Sequence, residues 1–252
     1  MDGRSGLRGL RVLVPRGGAW GEAVAAELRS RGAQPLVVPL VAFAPPDEPA
    51  FEEAVDALRG GGFDWLLVTS ATTVEALVAR GAGVPRGTRV GAVGAATRAA
   101  LERAGIGVDL VPTSEQSALG LVRALPDDPG RVLLPQSDLA DAAAAEALAA
   151  RGARVTAVVA YRTVAVPVDA ATRADAAGGR LDAVLVTSGS VARQVAAQLG
   201  PLPAATLVAC LGPRTAAEAE AAGLAVAVVA PERSVTALLD ALERVAGGTD
   251  GP

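Results

Sequence analysis

The sequence predicts an α/β fold of two parallel sheets, each of about five strands, and three observations lead there. Short apolar runs, the mark of strands buried on both faces, alternate with amphipathic helical stretches. One run, Leu-Asp-Ala-Val-Leu-Val-Thr-Ser at 181–188, already occurs at 63–70 as Phe-Asp-Trp-Leu-Leu-Val-Thr-Ser. Other landmarks keep step with it. Arg11 to Pro15 returns as Arg131 to Pro135 and Arg31-Gly-Ala as Arg151-Gly-Ala, both 120 residues on, while Ser70, Gly94, Thr97 and Gly105 return as Ser188, Gly212, Thr215 and Gly223, 118 on. Shared composition alone would not hold that spacing, so a whole fold unit is duplicated.

Taken in order, Arg11 to Pro15 is a first strand, Gly17-Gly18 its turn, and Trp20 to Arg31 an amphipathic helix stopped by Gly32. Pro35 to Ala44 runs extended and apolar through Pro39 until Pro45-Pro46 breaks it. Pro49 opens the helix Ala50 to Arg59, which Gly60-Gly61-Gly62 ends. Strand Trp65 to Val68, helix Thr72 to Arg80, strand Val90 to Val93, a helix from Gly94-Ala-Ala-Thr97 to Gly105, and strand Val108 to Val111 come next. Thr113 with Gln116 has capping-box spacing for a helix ending near Leu125, and Pro126 to Gly130 is a polar break before the pattern restarts.

Two arrangements fit the duplication. The halves could be contiguous domains, but the second strand of each, Pro35 to Ala44 and Val155 to Val166, outruns an ordinary strand. If both segments cross between domains, the first domain is 1–38 plus 167–252 and the second 43–162, with 39–42 and 163–166 as paired linker strands.

The chain holds no histidine, lysine or asparagine. That removes imidazole general bases, lysine Schiff bases and P-loops. One thiol with carboxylates is a poor zinc ligand set, so no metal is expected. Cys210 lies in the apolar run Leu207 to Leu211 and reads as a buried core thiol. The net charge of −4 argues against a general nucleic-acid binder. No apolar run reaches the roughly 18 residues of a membrane span, and Met-Asp-Gly-Arg-Ser-Gly lacks a leader's apolar core. A cytoplasmic protein that does not engage membranes is the expectation.

Five dispersed motifs, Val-Thr-Ser at 68–70, Val-Gly-x-x-Thr at 93–97, Val-Ala-Tyr-Arg-Thr at 159–163, Val-Thr-Ser-Gly-Ser at 186–190 and Leu-Gly-Pro-x-Thr at 211–215, together resemble the uroporphyrinogen-III synthase family across nearly the whole chain. The resemblance implies two flavodoxin-like, doubly wound domains joined by a two-stranded linker, with the active site in the cleft between them, and so favours the interlaced arrangement. It implies cyclisation of hydroxymethylbilane, a linear tetrapyrrole, to uroporphyrinogen III with inversion of ring D and loss of water, using no cofactor. The course it implies runs through an azafulvene and a spiro intermediate. A monomer is expected, with transient hand-over from hydroxymethylbilane synthase.

The single tyrosine, Tyr161, matches the family's tyrosine and is the candidate for assisting departure of the hydroxyl. Phenols titrate near pH 10, so a tyrosine can donate at neutral pH; the plainer reading is an amphipathic side chain packed on the linker. Eight substrate carboxylates call for many donors, and Thr69, Ser70, Thr97, Ser188, Ser190 and Thr215 fall after strands at helix starts. Helix capping alone accounts for any one of them. Arg16, Arg162 and Arg214 lie beside the motifs and could pair with carboxylates, although surface arginines are commonly just solvated. Asp64 and Asp182 precede their strands and read as structural, Gly94 and Gly212 as tight-turn residues. Two turns depart from the family pattern: Pro135-Gln-Ser-Asp stands where an Arg-Gly type is usual, and Pro15-Arg16-Gly17 lacks the threonine before the arginine. The rival reading is a non-catalytic two-lobed sensor of a small anion or tetrapyrrole.

Overall fold

Four-residue apolar runs, too short for helices and rich in valine and leucine, become strands, and the alanine-rich stretches between them become helices. In a computed structural model the described residues are 6–248; residues 1–5, in which the missing leader core is read, and 249–252 lie outside them. In chain order the elements are β1 (Arg11–Val14), α1 (Gly18–Ser30), β2 (Gln34–Val37), β3 (Val41–Ala44), α2 (Ala50–Arg59), β4 (Trp65–Val68), α3 (Ala71–Ala79), β5 (Arg89–Ala92), α4 (Ala95–Arg103) and α5 (Ala118–Ala124). They continue with β6 (Arg131–Ser137), α6 (Ala143–Ala150), β7 (Arg154–Ala165), α7 (Ala170–Ala177), β8 (Ala183–Val186), α8 (Gly189–Leu199), β9 (Leu207–Cys210), α9 (Pro213–Ala221), β10 (Val226–Val229) and α10 (Val235–Gly247). The chain divides into two compact units, Met1–Ala42 with Val164–Pro252, and Phe43–Thr163. It changes unit once within β3 and once within β7, and these two strands are hydrogen-bonded neighbours.

The first unit holds the sheet β10-β9-β8-β1-β2 with every pair parallel. Counted along the unit this is the flavodoxin-like order 2-1-3-4-5. Side chains alternate across it. Leu13, Val184, Val186, Val208 and Cys210 face α7, α8 and α9, while Val12, Val14, Ala183, Leu185 and Ala209 face α1 and α10. Burial with Glu220 nearby pushes the Cys210 thiol up to about 11, so it stays an inert core group.

The second unit holds β3-β7-β6-β4-β5. One face packs Leu66, Val68, Val90 and Leu133 against α2, α3 and α4; the other packs Trp65, Leu67, Val132 and Leu134 against α5 and α6. Two aspartates set the strand register. Asp182 accepts the Arg11 N–H at 2.7 Å and Asp64 the Arg131 N–H at 2.8 Å, each closing the open end of a parallel pair inside its own unit. Asp64 also accepts from the Arg131 guanidinium at 3.2 Å, which holds its carboxyl below the usual carboxylate range.

The structure differs from the sequence reading at five places. The run Pro35 to Ala44 is two strands, because Pro39 lacks an N–H and Leu40 turns its own to the Pro15 carbonyl at 2.9 Å. The strand expected at Val108 to Val111 is one parallel bridge, Gly91 to Leu110, and the sheet gains β3 at its other edge instead. The helix expected from Thr113 starts at Ala118, with Ser117 accepting the Gly120 N–H at 3.0 Å. Gly94 and Gly212 are extended cap residues and make no left-handed turn. Pro135 to Ser137 continue β6; the β4 partner stops at Leu133, so Pro135 breaks no ladder bond on that side.

Candidate active site

Tyr161 owes its position to a bulge. Along the β6–β7 ladder Gln136 faces Val159 but Ser137 faces Tyr161, so Ala160 is the extra residue on β7 and the strand beyond it is offset by one. The phenol hydroxyl then lies 3.3 Å from Ser70 Oγ. Ser70 is extended and caps α3, its Oγ accepting the Thr73 N–H at 3.0 Å and meeting Thr73 Oγ1 at 2.9 Å. The ring of Phe43 meets the Tyr161 ring edge-on, centroids 5.2 Å apart at 79°. Beside them a cavity of about 210 Å³ is lined by Phe43, Phe51, Thr72, Glu75, Arg80 and Tyr161, with small alanines between. Thus one phenol sits on the hydroxyl of a helix cap and walls a mainly apolar pocket.

The other second-unit candidates are spread more widely. Thr69 follows β4 and is partly buried; Thr97 is the third residue of α4 and only 4% exposed. Arg162 binds Asp47 at 2.8 Å and the Pro45 carbonyl at 3.2 Å.

In the first unit, Ser188 caps α8 as Ser70 caps α3, accepting the Val191 N–H at 3.3 Å, and its hydroxyl meets Ser190 Oγ at 2.9 Å. Glu218 of α9 lies over this helix start, so close that a Cβ on Gly189 would stand 1.2 Å from its Oε2. Arg214 holds Glu218 through Nε at 3.1 Å. Thr215 is the third residue of α9, partly buried. Arg16 sits between β1 and α1 with its guanidinium 5.2 Å from the centre of the Trp20 ring. The Glu218 carboxylate thus lies beside the α8 start, where the positive end of the helix dipole favours negative charge.

Three residues of interest escape the sequence reading. Thr187 repeats Thr69 at the 118 offset, and its Oγ1 is buried with no hydrogen-bond partner among the described residues; the repeat itself was the signal. Phe43 and Glu75 reach the cavity by tertiary placement, and no local pattern marks them. Among the described residues no group of three or more histidines, cysteines, aspartates or glutamates could hold a metal ion, and no helix is long and apolar enough to cross a membrane.

Against this geometry, the family model described as uroporphyrinogen-III synthase HemD matches residues 22–240. Among solved structures, a mutant uroporphyrinogen III synthase from Thermus thermophilus is similar at TM-score 0.66 and 23% identity, over 94% of this chain and 98% of that one. The uroporphyrinogen-III synthetase of Helicobacter pylori is similar at TM-score 0.61 and 15% identity, over 92% of this chain and 97% of that one. No curated protein matches.

Proposed function

The chain belongs to the uroporphyrinogen-III synthase family, lyases of tetrapyrrole biosynthesis that act on a small molecule, and from that membership we propose that it closes hydroxymethylbilane to uroporphyrinogen III with inversion of ring D and loss of water. The observation that carries the site assignment is the 3.3 Å contact between Tyr161 and Ser70 beside the Phe43 cavity. The phenol donates toward the departing hydroxyl while the electron-rich pyrrole pushes it out, giving an azafulvene. Carbon of ring D attacks that methylene to form a spiro intermediate, whose fragmentation and reclosure invert the ring. The chemical demand on the protein is small: one acid and a geometry that disfavours end-to-end closure.

The substrate carboxylates are met by Thr69, Ser70, Thr97, Ser188, Ser190 and Thr215 and by Arg16, Arg162 and Arg214. Arg162 and Arg214 already bind Asp47 and Glu218 in exposed pairs. Such pairs contribute about 0–1 kcal/mol, so exchange for a substrate carboxylate costs little. The protein acts as a cytoplasmic monomer, joined by two linker strands at 39–42 and 163–166, and receives its unstable substrate from hydroxymethylbilane synthase.

The test supplies freshly generated hydroxymethylbilane and measures the type III product against the type I product that forms without an enzyme. Excess type III is the expected outcome. An unchanged isomer ratio with retained tetrapyrrole binding would instead establish a sensor.

A further inference from the structure

We propose that Glu75 is the base of the first chemical step, taking the N–H proton of the pyrrole ring that carries the hydroxymethyl group while Tyr161 protonates the departing hydroxyl. The inference rests on the reaction proposed above and adds a second group to it.

The cavity beside Tyr161 has a volume of about 210 Å³, below the range of pockets that enclose a whole drug-sized ligand, so it suits a single ring of the bilane. Its walls are apolar or small at Phe43, Pro45, Phe51, Ala76, Ala79 and Ala160, and only Glu75 and Arg80 bring charge. Arg80 is committed, since its guanidinium binds Glu52 of α2. Glu75 has no hydrogen bond or ion pair among the described residues. Besides Glu75 and Arg80, the titratable group that lines the cavity is Tyr161 of β7.

An uncommitted carboxylate is an odd component of a site for a polyanion. It repels the acetate and propionate groups, so binding affinity does not explain it. It matches instead the one part of the substrate that becomes positive. As the C–O bond breaks, the pyrrole nitrogen supplies the electron pair, charge builds on that nitrogen, and its N–H acidifies. The ring nitrogen is next to the carbon that bears the hydroxymethyl group, so a donor for the oxygen and an acceptor for the N–H must be within reach of one ring, and Tyr161 and Glu75 line the same small cavity.

The step balances. The phenol proton joins the leaving hydroxide as water, the N–H proton passes to the Glu75 carboxylate, and the ring is left as a neutral azafulvene. When ring D attacks the methylene, the azafulvene nitrogen regains a proton from the Glu75 carboxylic acid. Solvent returns a proton to Tyr161.

The experiment is steady-state kinetics of type III formation by the full chain and its Glu75→Gln and Glu75→Asp variants. Glu75 lies on the exposed face of α3 and glutamine has similar helix propensity, so equal thermal unfolding midpoints are expected. E75Q should lose about 100-fold in kcat, the size of a lost general base, while KM stays level or falls because a repulsive charge has gone. E75D should recover at least tenfold of that loss. A kcat for E75Q within twofold of the parent, or a loss confined to KM, overturns the role of Glu75. If the unaltered chain itself makes no excess type III product, the reading of the reaction has failed, which is a separate result.

Discussion

The starts of α3 and α8 are copies of one device that keep different company. Each comes after a four-residue buried strand that ends in Val and is followed by Thr-Ser, and the serine caps the helix with an Oγ that accepts the N–H three residues on. At α3 the serine hydroxyl meets Tyr161 and the helix continues with Ala71. At α8 the corresponding residue is Gly189, and Glu218 fills the space that a methyl group would need. The position of Glu218 is Ala100 in the other copy, 118 residues earlier. Duplication therefore supplied two equivalent scaffolds, and an Ala/Ala against Gly/Glu exchange plus one tyrosine made them chemically unequal. One start has a phenol against its serine; the other has a glutamate bound by Arg214 beside it.

That contrast can be broken most severely at Tyr161. Tyr161→Phe should lower kcat for type III formation about 100-fold with an unchanged unfolding midpoint, and full turnover by this variant would remove the acid role. The next effect is on stability at the opposite strand ends. Asp64→Asn should lower the unfolding midpoint by about 4 °C and Asp182→Asn by about half as much, because Asp64 carries a guanidinium as well as an N–H. Since the Asp64 carboxyl titrates below its unfolded value, its contribution is complete above about pH 4 and fades as pH falls through the lowered value. Acid titration of the midpoint should accordingly be flatter in Asp64→Asn below pH ~4.

Ser70→Ala and Ser188→Ala should each cost about 1 kcal/mol of stability by denaturant unfolding, the typical loss of a cap. Only Ser70→Ala should also reduce kcat, since only that serine touches the phenol; equal kinetic effects would show the two starts to be interchangeable. The smallest change is Gly189→Ala. It must displace the end of the flexible Glu218 side chain, with stability altered by less than about 0.5 kcal/mol, while KM should move by about threefold as the Glu218 carboxylate shifts on Arg214.

Much of this was legible beforehand. The strands Trp65 to Val68 and those at 183–186 and 207–210 stand out because a parallel strand buried on both faces must be apolar throughout. The serine caps arise from the same local logic. Val108 to Val111 misled for an equally physical reason: apolar composition permits a strand, but pairing needs a neighbour in register, and only Leu110 finds one. The Thr113 spacing likewise matched a capping box that lost to Ser117, whose cap lies directly before the helix.

The sequence by itself determined the α/β class, the duplication and the hydroxyl-ended strands, since periodicity, turn residues and caps act over a few neighbours. Only the tertiary structure decided that the first strand of one half lies beside the third strand of the other, with Asp182 closing on Arg11 across 171 residues. It also decided that a bulge at Ala160 brings Tyr161 to Ser70, and that Glu75 faces a cavity with no partner among the described residues. Contacts of that kind depend on which surfaces are buried together, and no window of neighbouring residues contains that information.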